Sequence, residues 1–209
     1  APYLPAVIER LEAAGKEVLL SSAALVSSPR ESAAIRELAS DDERRVEAND
    51  IAAVSLLAGK RHIVGPYINV YNAQALRVLT RLGAVRTVLQ WELPRAALCA
   101  LAATGLPVEV QVFGRAPLAI SARCYHARLE DLHKDGCRFV CEKDLDGLPV
   151  ETIEGMPILA VNGVQTLSHA CISLAGHLDD LLAMGIRHFR LSPHTIDMAA
   201  MWAIMTRLE

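Results

Sequence analysis

The sequence predicts an α/β fold of the TIM-type (β/α) barrel class, and three observations carry that prediction. Short apolar runs alternate with stretches of helical periodicity, the connections are brief, and the repeat stays close to one strand plus one helix. An open doubly wound sheet is the alternative that the same alternation allows. Six strands are legible, near 17–22, 44–48, 61–65, 86–90, 107–113 and 187–191, and the first element is a helix. A closed barrel needs eight strands. The expectation is one barrel domain over 1–209, incomplete at its N-terminus as a fragment of a longer chain, with an insertion over 114–170 before the last strand.

Each element has a local reason. "YLPAVIERLEAAG" sets Leu4, Val7, Ile8, Leu11 and Ala14 at helical spacing and stops at Gly15, a residue that closes helices at positive φ. "EVLLSS" reads as a buried strand, "ESAAIRELAS" as a helix and "RRVEAN" as a strand. "DIAAVSLLAG" is a helix capped by Asp50 and stopped by Gly59. After the strand "RHIVG" comes the helix "NAQALRVLTRLG", with Asn72 as N-cap and Ala73, Leu76, Leu79 and Leu82 on one face. "RTVLQ" is a strand, and "LPRAALCALAATG" a helix with Pro94 near its first turn. "PVEVQVFG" is the next strand. "LPVETIEGMPILAVNGVQ" then reads as a β-hairpin turning at Glu154 and Gly155, and "CISLAGHLDDLLAMG", "RHFRLSP" and "IDMAAMWAIMTRL" restore helix, strand and helix.

Of the 209 residues, 52% are hydrophobic and 22% charged, enough to bury a sizeable core and to exclude disorder. A net charge of −3 with no basic patch argues against a nucleic-acid partner. No run reaches the apolar length of a membrane span, and the first residues carry charges where a signal peptide would be apolar, so a soluble, cytoplasmic protein is expected. Five cysteines are an odd number in a chain with a good core, unlike a disulfide scaffold.

Three of the five crowd into "ARCYHARLEDLHKDGCRFVCEKD". Cys124 and Cys137 are separated by twelve residues, and Cys137 and Cys141 by three. On a helical turn, positions i and i+4 share a face, so the last two could serve one cluster, with Cys124 looping back through a polar turn. Lys134, Arg138 and Lys143 are expected to lower the thiol pKa values. Zinc favours two tight knuckles and only one is present, whereas an iron–sulfur cluster accepts irregular spacing. Iron–sulfur is preferred and zinc is the alternative. The competing reading, three incidental buried thiols, suits this polar segment poorly. Cys171, in helical register with Leu174, Leu178 and Leu181, and Cys99, within "AALCALAA", read as packing residues.

"FGRAPLAISARCYHARLEDLHKDGCRFVC", with "INVYNAQALRVL" before it and "VNGVQTLS" and "RLSP" after it, resembles the collagenase-like peptidase family along essentially the whole chain. The Cys-x12-Cys-x3-Cys spacing points to its branch that serves oxygen-independent hydroxylation in anaerobic ubiquinone biosynthesis. That resemblance implies a barrel, a [4Fe-4S] cluster with Cys124, Cys137 and Cys141 as three of its four ligands, and a heterodimer with a homologous UbiU-like protein. A lipid-carrier or quinone-precursor partner is a further implication. The fourth ligand is expected upstream of Ala1.

In a parallel barrel, function gathers at the C-terminal ends of strands, which nominates Asn69, Tyr71, Asn72, Glu92, Arg115, Arg123 and Arg190, with Ser192, as substrate-binding residues. Plainer roles compete. Asn72 suits a helix N-cap, Tyr71 suits simple packing, Glu92 suits a helix N-terminus, and Arg190 suits an ion pair with Glu92. The seven histidines show no metal-ligand spacing, and no Gly-x-Ser-x-Gly, His-Glu-x-x-His or Cys–His arrangement supplies a peptidase nucleophile. Three functions therefore compete. They are a subunit of an oxygen-independent hydroxylase, a zinc-stapled partner-binding barrel, and a collagenase-like hydrolase or RNA-modification factor.

Overall fold

Asp50 and Asn72 start helices for the reason their short polar side chains suggest. The Asp50 carboxylate accepts from the Ala52 and Ala53 amides at 2.8 and 3.1 Å, and the Asn72 side chain from the Ala75 amide at 2.9 Å. The protein is described here by a computed structural model covering residues 3–206, and it falls into two compact units, residues 1–88 and 89–209.

The first unit runs α1 (Leu4–Ala13), β1 (Leu20–Ser21), α2 (Pro29–Ser40), β2 (Val46–Ala48), α3 (Ile51–Leu56), β3 (His62–Val64), α4 (Ala73–Arg81) and β4 (Ala84–Val88). Consecutive strands pair in parallel, with Ser21 opposite Glu47, Ala48 opposite Val64 and Val64 opposite Thr87. Parallel strands covered by helices need apolar residues on both faces. Ala48, Ile63 and Val64 are fully buried, and Leu76 and Leu79 of α4 are buried too. Helix α1 forms as its periodicity predicts, yet it buries none of its side chains, and Leu4, Val7 and Leu11 are exposed.

Where β1 and β2 end, polar groups turn inward. Asn49 Nδ2 donates to Ser21 Oγ at 2.7 Å and to Glu47 Oε1 at 3.1 Å, and the Asn49 amide donates to Ser22 Oγ at 2.8 Å. Gly65 is required beside this network, because a Cβ there would stand 1.9 Å from Asn49 Oδ1. A cleft of about 450 Å³ lies at the opposite ends of β2 and β3, lined by residues 41–46, Leu57, Lys60 and Arg61. Its charges pair with neighbours, Lys60 with Asp42 at 2.7 Å and Arg44 with Glu12 at 2.8 Å, so it offers no concentrated field to a ligand.

The second unit runs α5 (Arg95–Ala102), β5 (Val108–Ile120), α6 (Tyr125–Leu129), β6 (Leu148–Glu151), β7 (Pro157–Asn162), β8 (Gln165–Ser173), α7 (Leu178–Ala183), β9 (His188–Leu191) and α8 (Met198–Thr206). Strand β5 is far longer than the 107–113 run predicts. Its first half pairs in parallel with β9, and its second half, from Phe113 to Ile120, pairs antiparallel with β8. The crossover is at Gly114, whose φ is +117° and whose Cβ would lie 2.5 Å from the Ser192 Cβ. The extension, which continues past the residues of β5 that pair with β9, carries the antiparallel layer β8, β7, β6.

The predicted hairpin is β6 and β7, turning through Gly155 at φ +80°, with the Thr152 amide donating to the Met156 carbonyl at 2.9 Å. A second turn at Gly163 adds β8, which the sequence reading divided between hairpin and helix. Cys171 is therefore a strand residue, exposed and opposite Arg115, rather than part of a helical face with Leu174, Leu178 and Leu181. The i, i+3 spacing of that stretch suits a helix, but the free edge of β5 recruits it as a strand. Cys99 lies on α5 as expected but is exposed, so it does not pack. Pro94 occupies the N-cap of α5, one step before the first turn.

Candidate functional site

The cysteine segment is not the featureless polar turn that its composition suggests. Cys124 is the N-cap of α6, and its Sγ accepts from the Ala127 amide at 3.4 Å, so the thiol sits at a fixed point on a short helix. His126 and Ala127 of that helix are buried. Cys137 closes a 3-10 turn over Lys134–Gly136, and Cys141 lies in another over Val140–Lys143. The two do not share an α-helical face. Between them Arg138 and Phe139 both adopt positive φ, at 52° and 59°, and Asp131 does so at 53°. Non-glycine residues in this region are strained, and such strain gathers at functional sites.

Helix α6 packs against both 3-10 turns and against β7. The three thiols are half-buried and within electrostatic reach of one another. Burial pushes the Cys141 thiol above its ordinary range, and the neighbouring Cys124, Cys137 and Glu142 add to the rise. This reverses the expected direction for Cys141. Lys143 is engaged with Glu130 at 2.7 Å instead. A thiol must lose its proton to ligate a metal, so the burial that favours the neutral Cys141 thiol has to be offset by the cation it would bind. Among the described residues, no three or more His, Cys, Asp or Glu side chains form a group that could hold a metal ion.

The hairpin tip holds this arrangement from one side. The Tyr125 amide donates to the Gly163 carbonyl at 2.9 Å, the Gly163 amide to His126 Nδ1 at 3.1 Å, and the Ser121 amide to the Val164 carbonyl at 2.8 Å. The segment after β9 holds another side. Asp146 accepts from the Thr195 amide at 3.0 Å and from the Thr195 hydroxyl, and His194 Nδ1 lies 3.3 Å from its Oδ2. Burial acts to raise the Asp146 carboxyl, but the Thr195 hydrogen bonds, with His194 and Arg115, outweigh it and hold the pKa below the ordinary range.

A carboxyl depressed on folding contributes stability above its unfolded pKa, and that contribution disappears as pH falls through the folded pKa. Asp146→Asn is therefore expected to cost about 1 kcal/mol at neutral pH. The gap from wild type should close as the pH drops below the ordinary carboxylate range. Denaturant unfolding at a series of pH values checks this, and a gap independent of pH would contradict it.

The nominated substrate residues divide between the two units. In the first unit, Asn69 and Tyr71 are exposed, Asn69 at φ +59°, and Asn72 is the helix cap already described. In the second, Glu92 and Arg123 are exposed, and the Arg123 amide donates to Ser121 Oγ at 3.1 Å. Arg115 donates through Nη1 to the Ser168 carbonyl at 2.9 Å and to the His169 carbonyl. Arg190 forms an ion pair with Glu109 at 2.6 Å. Ser192 donates its amide to the Phe113 carbonyl at 2.9 Å beside the Gly114 crossover. The residues that organise the cysteine site, His126, Asp144, Asp146 and Gly163, went unnominated, because their partners are distant in sequence.

A family model described as Peptidase family U32 matches residues 3–207 of the chain. No solved structure matches it.

Proposed function

Since the chain belongs to peptidase family U32, we propose that it is an iron–sulfur member of that family, with Cys124, Cys137 and Cys141 as ligands of a [4Fe-4S] cluster. The observation that carries this reading is that α6 and the two 3-10 turns packed against it present three half-buried thiols, with Cys141 within electrostatic reach of the other two. Zinc needs its ligands closed on one point, about 2.3 Å from each sulfur. A cluster presents separate irons to separate thiols, so a looser triangle suits it better. Cys137 and Cys141 sit on separate 3-10 turns with Arg138 and Phe139 at positive φ between them, an arrangement compatible with ligating different irons.

The finer reading is a role like that of the UbiV branch: oxygen-independent hydroxylation in anaerobic ubiquinone biosynthesis, as a heterodimer with a UbiU-like protein and as part of a (β/α) barrel. A cluster would supply one-electron redox chemistry. The chain's own part is to hold the thiols beyond the C-terminal ends of β5 and β9, where barrel enzymes carry their chemistry. Peptidase activity lacks a nucleophile with a placed base in the sequence.

Anaerobic purification with iron and acid-labile sulfide analysis tests the cofactor. Iron and sulfide in equal amounts, with visible thiolate-to-iron absorption, are expected. A colourless zinc protein, or peptide cleavage without iron, would overturn the reading. Co-purification with a UbiU-like protein is the expected sign of the heterodimer, and a monomer that retains full activity would exclude that part.

A further inference from the structure

We propose that His126 is a positioning residue for the cysteine site, registering the segment that carries Cys124 against the turn that carries Cys141. The proposal deepens the iron–sulfur reading and rests on it for its purpose, though not for its geometry.

His126 is only 3% exposed, on a helix of five residues that cannot hold its own position by propensity. Its ring touches two other chain segments. Nδ1 accepts from the Gly163 amide at 3.1 Å, which leaves the ring hydrogen on Nε2. Nε2 lies 3.4 Å from Asp144 Oδ2, poorly aligned for a hydrogen bond, and is otherwise without a partner. Asp144 ends the 3-10 turn that bears Cys141, and its amide donates to the Cys141 carbonyl at 3.1 Å. Two residues from Cys124, one imidazole thus meets both the hairpin tip and the far thiol's turn. The other tie between α6 and that turn, Lys143 to Glu130 at 2.7 Å, has side chains 66% and 47% exposed. Exposed pairs of this kind contribute little. A buried imidazole between two fixed partners is the stiffer strut.

A packing role alone would also bury a histidine, so the test separates position from stability. In protein carrying Cys99→Ser, Cys137→Ser and Cys171→Ser, only Cys124 and Cys141 remain, and a short bifunctional thiol reagent reports their proximity without iron. His126→Leu keeps the bulk and loses both polar contacts. It is expected to lower the cross-linking yield about five-fold, and to lower iron retention similarly where all cysteines are present. His126→Asn, which keeps an acceptor for the Gly163 amide, should recover part of both. Ala127→Gly loosens the same helix without touching either contact and serves as the control for lost stability.

Cross-linking and iron content in His126→Leu equal to wild type would overturn the proposal. So would an equal loss in Ala127→Gly at matched melting temperature, or failure of the parent protein to cross-link. A parent that cross-links, while the protein with all its cysteines never binds iron, would sink the iron–sulfur reading and leave the positioning role supported by a His126→Leu loss of cross-linking.

Discussion

Serine in place of any one of Cys124, Cys137 or Cys141 is expected to lower the iron content of anaerobically isolated protein about ten-fold or more, because a hydroxyl is far less acidic than a thiol and its oxygen is a harder ligand than sulfur. The three positions should behave alike, since each occupies its own anchored place: the N-cap of α6, the end of one 3-10 turn and the interior of another. Cys99→Ser and Cys171→Ser are expected to keep their iron. Cys99 is exposed on α5. Cys171 is exposed on β8, six residues along the strand from Gln165, or about 20 Å from the end that neighbours the Gly163 clamp. Full iron in two of the three ligand variants, or loss of iron on Cys171→Ser, would show the ligand assignment to be wrong.

Arg190→Leu is expected to destabilise the protein by about 3 kcal/mol, the second large effect. Glu109 is 8% exposed on β5, and the Arg190 guanidinium from β9 meets it at 2.6 Å. Removing the cation leaves a carboxylate in a desolvated place, which costs more than the ion pair itself contributed. Glu109→Gln in the same protein should restore part of the loss, since a neutral amide is cheaper to bury. Denaturant midpoints at unchanged m-values measure both. If Arg190→Leu unfolds at the wild-type midpoint, burying Glu109 without its cation costs nothing and the expectation fails.

Much of the fold was legible because it depends on chemistry within a few residues. Asp50 and Asn72 cap helices through bonds to amides two and three positions on, and Gly15, Gly59 and Gly83 stop helices at φ of 70°, 83° and 107°. The hairpin turn through Gly155 is of the same kind. The crowding of three cysteines into one segment was legible as well, and the fold sets Cys141 within electrostatic reach of Cys124 and Cys137. Misreadings began where a choice between periods had no local arbiter. Residues 165–173 lack a turn signal and match helical spacing at their end, so only the exposed second half of β5 decides that they pair as β8.

The sequence by itself determined the alternation of strands and helices, the helix starts and stops, and the crowding of three thiols into one segment. Tertiary structure alone decided that Arg190 answers Glu109, 81 positions away, and that Gly163 reaches His126 across 37. It also set Cys137 and Cys141 on separate turns with two strained residues between them. The physical reason is that a cap or turn is settled by the backbone groups beside it. An ion pair, a strand partner or a buried imidazole is settled by whatever the folded chain brings near, and by the cost of leaving a polar group unpaired once water is gone.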